Sequence, residues 1–385
     1  MGFDVNTCIP FGNACDIALT ADEGTLTVSF APDPHGGPET LWFCFRLVRS
    51  DAPGPAVRTI RLHLKHSANM LGGHHPSAMR PVIRYDEGAW QRLPQGDFIT
   101  LPDGRTDVAW STPVPKESLD VAYCYPYGIR EIEALVDTNP EVWKVDTIGV
   151  SQNARPILRL SNDYGNPEGG HIGLYLMARQ HSGETPGSWV LDGFLRAIAD
   201  LGRAAPLIWA VPLSNIDGIE GGDYGKDNFP YDLNRAWGRP PMRHEISVIQ
   251  RDMARWRSRC RPVLAIDFHA PGASETGGVY AYVPDPDEDR GGYEAVMPWA
   301  DWTEDALTPK YAADDFARVA RYPSRWETPS FRGYAWSQVG VPCITYENPY
   351  AIARERVLTE EDYREIGRRI CKGVLQGIDR LYESF

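Results

Sequence analysis

This chain lacks the signals of secretion, membrane insertion and nucleic-acid binding. Its start, MGFDVNTCIPFGNACD, has no basic segment followed by an apolar one, so no secretory leader is expected. Met1-Gly2 does not open a myristoylation signal, because Asn6 stands where Ser or Thr is required. No apolar run approaches the length that spans a bilayer. The seven cysteines are scattered and odd in number, and no CxxC occurs. Reduced thiols in a cytoplasmic protein are the expectation, although Cys8 and Cys15 are spaced so that a pair stays open. A net basic charge is missing too. The formal charge of −13 argues against nucleic acid or an anionic membrane as partner, without excluding a local basic cleft.

What is present suits a large globular protein. Apolar residues make up 42% of the 385, and 12 are Trp, enough for a sizeable core. The length favours more than one domain. Residues 1–118 read as an all-β antiparallel sandwich. TLTVSFAP, TLWFCFRLV, VRTIRLHLKHS and PVIRYDEGAW are short β segments, separated by clusters such as PDPHGGPE and LGGHHPSAMRP. From 119 to 385 the pattern alternates. PILRLSN, HIGLYLMARQ, APLIWAVPLSN, PVLAIDFHA and VPCITYENP read as strands. A helix begins at Thr185, expected as its cap, with Pro186 in the first turn. RHEISVIQRDMARWRSR is a second helix, and a third runs from about Thr359 to Tyr382. This predicts an α/β domain, a mixed sheet with flanking helices. Residues 284–330 show no clear period and read as insertions over the sheet.

Four polar sites fall at strand ends, where open α/β sheets collect ligands. His181-Ser182-Gly183-Glu184 is the only HxxE in the chain. Such spacing can aim an imidazole and a carboxylate at one metal, but alone it also fits a surface loop. His269 closes PVLAIDFH and completes a His₂Glu set, which leaves a fourth position for water, as in catalytic zinc sites. Asp232-Leu233-Asn234-Arg235 offers a guanidinium fork and an amide, suited to a carboxylate or to an ordinary turn. Glu347 follows the apolar core of CITYENP, a place for a paired or functional carboxylate.

In this order, ARQHSGETPGSWVLDGFL, NIDG, DLNR, DFH and the last-strand Glu resemble the M14 zinc metallocarboxypeptidases, especially their cytosolic branch. The resemblance runs from about residue 121 to about residue 350. It implies the zinc carboxypeptidase fold and one Zn2+ per chain, held by His181, Glu184 and His269. It implies Glu347 as general base, Asn234 and Arg235 as the grip on a terminal carboxylate, and Asp232 behind the first His. The partner implied is a peptide or peptide-like substrate with a free carboxylate.

The chain also departs from the family pattern. No Arg stands in IEGGDYGKDNFPY, where the family supplies one for the oxyanion; Lys226 is the nearby replacement, or a solvated loop residue. Tyr334 is a site-lining aromatic or a packing one. Arg332 either reads an acidic side chain in the specificity pocket or lies on the surface. The group His63, His66, His74 and His75 reads as solvated rather than as a second metal site. Two other functions compete with a carboxypeptidase: a zinc amidohydrolase acting on small amino-acid conjugates or bacterial peptide material, and an inactive binding protein. The intact His181, Glu184, His269 and Glu347 weigh against the last.

Overall fold

A computed structural model describes residues 2–51, 56–74, 76–228, 231–321 and 328–382, so His75 lies outside the described residues. The N-terminal region contains two five-stranded sheets. One runs Gly2–Asn6, Cys44–Ser50, Ser118–Ala122, Val82–Tyr85, Gln91–Arg92 in spatial order. The other runs Cys15–Asp22, Thr25–Ala31, Thr59–Leu64, Thr106–Pro113, Asp97–Thr100. Strict alternation in TLTVSFA and TIRLHL buries one face of the second sheet. Phe30 from that face meets Phe45 of the first sheet at 4.7 Å. Pairing is antiparallel except between Thr25–Ala31 and Thr59–Leu64, which run parallel. The strand Ser118–Ala122 belongs to the first sheet, which therefore extends past residue 118.

The rest of the chain is built on an eight-stranded mixed sheet. Its order is Lys144–Val150, Pro156–Ser161, Leu207–Val211, Ile172–Ala178, Arg261–His269, Cys343–Glu347, Val279–Val283, Ala312–Val319. The four strands from Leu207–Val211 to Cys343–Glu347 are parallel, and their cores are apolar because helices cover both faces. Helices Thr185–Asp200 and Glu360–Tyr382 cross at very close range. A Cβ on Gly193 would lie 2.0 Å from the Arg364 carbonyl oxygen, and one on Gly367 would lie 1.9 Å from that of Val190. Helix His244–Arg257 packs elsewhere on the sheet, with Trp256 against Tyr175 at 5.5 Å.

Two expectations need correction. Thr185 is the first helical residue rather than the cap, and its buried hydroxyl has no hydrogen-bond partner. Glu184 occupies the cap position but makes no capping bond, because its carboxylate is turned toward two histidines. Pro186 does sit in the first turn. The segment read as insertions instead holds the helix Arg290–Leu307 and the edge strand Ala312–Val319. Its acidic composition hid a half-exposed helix and a strand buried at few positions. All seven cysteines are free, as the reduced-thiol reading expected, and Cys8 and Cys15 do not pair. No helix among the described residues is long and apolar enough to cross a membrane.

Candidate metal centre and catalytic site

The site lies at the C-terminal ends of the parallel strands. His181 and Glu184 follow the strand Ile172–Ala178 on a loop that is held from several sides. Arg179, itself buried and at φ 65°, donates from Nε to the Ser182 carbonyl at 2.7 Å and from Nη1 to that of Tyr127 at 2.9 Å. The Gly183 amide donates to the Tyr224 carbonyl at 2.9 Å. A Cβ at Gly183 would come within 2.9 Å of both Trp42 and Tyr224, so this loop requires glycine. Trp42 belongs to the N-terminal region, which therefore backs the loop directly.

Both imidazoles converge on one carboxylate. Nδ1 of His181 lies 2.8 Å from Oε1 of Glu184, and Nδ1 of His269 lies 2.7 Å from its Oε2. The ligand atoms of His181, Glu184 and His269 all fall within 4.8 Å of one another, and all three residues are buried. This is the one such group among the described residues. The outer nitrogens face carboxylates as well: Nε2 of His181 is 3.2 Å from both oxygens of Asp232, and Nε2 of His269 is 2.8 Å from Asp267. Metal-bound imidazoles are commonly oriented in this way.

The electrostatics suit a cation. Burial by itself would lower the His181 pKa, but Glu184 and Asp232 override it and raise it to about 9. His269 is also raised, with burial outweighed by Asp267 and Glu184. Burial opposes ionisation of Glu184 and Asp232, yet the neighbouring imidazoles hold both below the ordinary carboxylate range. Two nitrogens and a carboxylate in a buried, acid-rich cluster form a donor set that fits one Zn2+.

Glu347 stands beside this group. Strand register pairs it with His269, and its Oε2 is buried with no hydrogen-bond partner. Burial and then the Glu184 charge push its carboxyl up to about 7, while His269, Lys226 and His181 restrain the rise. Lys226 is therefore near enough to act on Glu347. Its loop is tied to the histidine support, since the Asp227 amide donates to Asp232 at 3.1 Å.

The remaining residues divide. Asp232 sits behind His181. Asn234 is buried, with Nδ2 at 3.2 Å from Nε2 of His269 and Oδ1 accepting from the Phe331 amide at 3.0 Å. Arg235 is partly buried and donates to the Asn234 carbonyl at 2.9 Å. Arg332 is partly buried, and its charge reaches the Cys343 thiol. Cys343, Thr345 and Glu347 alternate onto one strand face, so the Arg332 charge acts toward the Cys343 end of the face that carries Glu347. Tyr334 is buried with its ring 5.3 Å from Trp237. His63 and His66 pair with Asp107 and Asp16 away from this site. Asp267, Gln180, Trp237 and Arg179 were not singled out from the sequence. Asp267 carried a usable signal, because two residues apart on a strand means the same face as His269.

No family model matches the chain. In sequence it is similar to cytosolic carboxypeptidase 6 of Homo sapiens, 26% identical over 245 residues, covering 57% of this chain and 48% of that protein. With cytosolic carboxypeptidase 3 of Mus musculus it is 28% identical over 257 residues, 59% of this chain and 25% of that protein. The chain thus spans about half or less of the length of these curated relatives. In structure it is similar to a metallo-carboxypeptidase from Burkholderia cenocepacia, with a TM-score of 0.75 at 19% identity, covering 99% of this chain and 100% of that one. A metallo-carboxypeptidase from Pseudomonas aeruginosa, in complex with (2-guanidinoethylmercapto)succinic acid, gives 0.73 at 18% identity, covering 98% and 100%. The chain therefore has the M14-like zinc carboxypeptidase fold, preceded by a largely antiparallel β region. A His-Glu-His cluster is positioned in it as a single zinc site. Its sequence similarity to the cytosolic carboxypeptidases is distant.

Proposed function

We propose that this chain is a zinc-dependent carboxypeptidase that removes the C-terminal or side-chain-linked amino acid from a peptide, in the manner of the cytosolic branch. Two imidazole Nδ1 atoms aimed at one buried carboxylate, with the Glu347 carboxyl beside them, support this most directly. His181, Glu184 and His269 would hold the ion, which when bound supplies a water of pKa about 7 and Lewis acidity at the scissile carbonyl.

The chain's own residues do the rest. Glu347 accepts the proton of the attacking water and delivers it to the leaving amine, a role suited to a carboxyl poised near neutrality. Lys226 adds positive charge on the same side and takes the place of the missing oxyanion Arg, as a point charge without a fork. Arg235 and Asn234 orient the terminal carboxylate, which restricts cleavage to the chain end. Arg332 is suited to an acidic side chain at that end. Tyr334 contributes packing to the wall. Residues 1–118 and 119–385 are taken as the β and catalytic parts, in a cytoplasmic enzyme. Trp42 behind Gly183 supports a role for the first part in holding the metal loop as well as in shaping access.

Mass spectrometry of peptides with free and amidated ends, using the zinc-loaded protein and Glu347→Gln, tests the proposal. Loss of single residues from free ends only, abolished in Glu347→Gln with zinc retained, is expected. Zinc bound but no peptide trimmed would refute it, and hydrolysis of small acyl-amino acids instead would install the amidohydrolase alternative. Cutting at residue 118 is expected to cost zinc binding or solubility. A soluble, zinc-loaded and fully active remainder would overturn the role given to Trp42.

A further inference from the structure

The two histidines of the metal centre are not supported alike. Among the described residues His181 is backed by Asp232, through two long contacts of 3.2 Å. His269 stands at the end of a directed chain of four buried residues. The Trp237 indole donates to Oε1 of Gln180 at 2.7 Å. Nε2 of Gln180 donates to Oδ2 of Asp267 at 2.7 Å. The same Oδ2 lies 2.8 Å from Nε2 of His269. Trp237, Gln180, Asp267 and His269 are each at most 2% exposed.

Nε2 of His269 also lies 3.2 Å from the Asn234 amide nitrogen and 3.5 Å from that of Gln180, but its shortest contact is to the Asp267 carboxylate at 2.8 Å, and that charged acceptor decides the assignment. An indole N–H only donates, so the facing atom of Gln180 must be its oxygen. That fixes the amide NH2 of Gln180 toward Asp267. Asp267 must then accept, and the ring nitrogen of His269 that meets it must carry the proton. With the proton on Nε2, the lone pair of the neutral ring stands at Nδ1, the atom that faces Glu184. The reverse orientation of Gln180 would set its carbonyl oxygen against a carboxylate and leave a buried indole N–H unsatisfied.

We infer that Trp237, Gln180 and Asp267 act as positioning residues that set the metal-binding tautomer of His269. The Trp237 indole is the fixed starting point of the chain, and Asp267 is its contact with the ligand. All three are buried, on the Nε2 side of His269 away from Glu184. This inference rests on the zinc-centre assignment, and it adds that the site owes part of its affinity to groups behind the second histidine. Trp237 lies only two residues beyond Arg235, so the segment that presents the proposed substrate fork also anchors the ligand.

The test uses the full chain and zinc alone. Zinc dissociation constants would be measured by chelator competition for wild type, Asp267→Asn, Gln180→Met and Trp237→Phe. Long-range nitrogen–proton NMR of the zinc-loaded wild type reads the His269 tautomer. Asp267→Asn should weaken zinc binding by about 10–100-fold, the usual cost of losing such a partner. Gln180→Met and Trp237→Phe should shift it in the same direction by less, and the wild-type spectrum should place the His269 proton on Nε2. A folded Asp267→Asn and a folded Gln180→Met that both bind zinc like wild type would overturn the inference while leaving the metal centre intact. If Asp267→Asn does not fold, unchanged zinc affinity in Gln180→Met and Trp237→Phe overturns it equally. A wild-type protein that binds no zinc would overturn the metal centre itself.

Discussion

Replacing Glu347 with Gln should make the metal-free protein more stable while removing activity from the zinc-loaded one. The structure gives the size of both effects. Burial and Glu184 raise the Glu347 carboxyl from 4.5 to about 7. A carboxyl raised on folding contributes no penalty below its unfolded pKa. As pH climbs from 4.5 toward 7 the folded state resists ionisation more than the unfolded state does, so stability falls. Above about 7 the penalty is complete. At 1.36 kcal/mol per pKa unit the full cost is about 3 kcal/mol, and about 1–3 kcal/mol once the partial exposure of the side chain is allowed for. Gln carries no charge and escapes this cost. Thermal unfolding of chelator-treated wild type and Glu347→Gln, followed from pH 4 to pH 9, measures it. The stabilities should converge at the acid end and separate above neutrality, with Glu347→Gln the more stable. With zinc loaded, kcat should fall by about 10²–10⁴, the range for loss of a general base. The acid limb of the wild-type rate profile should lie below about 7, because a dication beside the carboxyl favours its ionised form. Equal stability of the two metal-free proteins across the whole pH range would refute the reasoning.

Three other outcomes follow from the geometry. Adding zinc to the metal-free protein at about 100 times its dissociation constant should stabilise the fold by about 2.7 kcal/mol, readable as a rise in melting temperature that chelator reverses. Gly193→Ala, which drives a methyl into the Arg364 backbone, should destabilise the protein by about 1–3 kcal/mol in denaturant titration. Gly170→Ala, with open space around it, should change stability by less than about 0.5 kcal/mol. Arg235→Lys should raise KM for peptides with free C-termini more than it lowers kcat, since a point charge replaces a fork; equal loss on free and amidated ends would count against the grip.

The elements read most easily were those whose pattern repeats locally. PVLAIDFH is nearly continuous in apolar residues because it is covered on both faces, and it is a central strand. Lys144–Val150 escaped notice for the opposite reason. It is an edge strand, mostly exposed, so its burial leaves little periodicity in the sequence. The edge strand Ala312–Val319 was lost in the same way. Thr185 followed the capping rule by composition and failed it in fact, because the residue before it was needed elsewhere. Local rules fail at functional sites when a side chain has a stronger partner.

The sequence by itself determined the metal-ligand types, their order along the chain and the strand ends that carry them. Spacing in HxxE and the apolar run before His269 are local properties, and resemblance supplied the rest. Only the tertiary structure decided which atoms converge. It brought Nδ1 of both histidines onto Glu184, and it set Trp42 from the first hundred residues behind Gly183. It also joined Trp237, Gln180 and Asp267 in one chain of hydrogen bonds. These are contacts between residues remote in sequence, and parallel pairing of strands joined by long crossovers fixes them. Nothing in the local alternation of residues encodes that register.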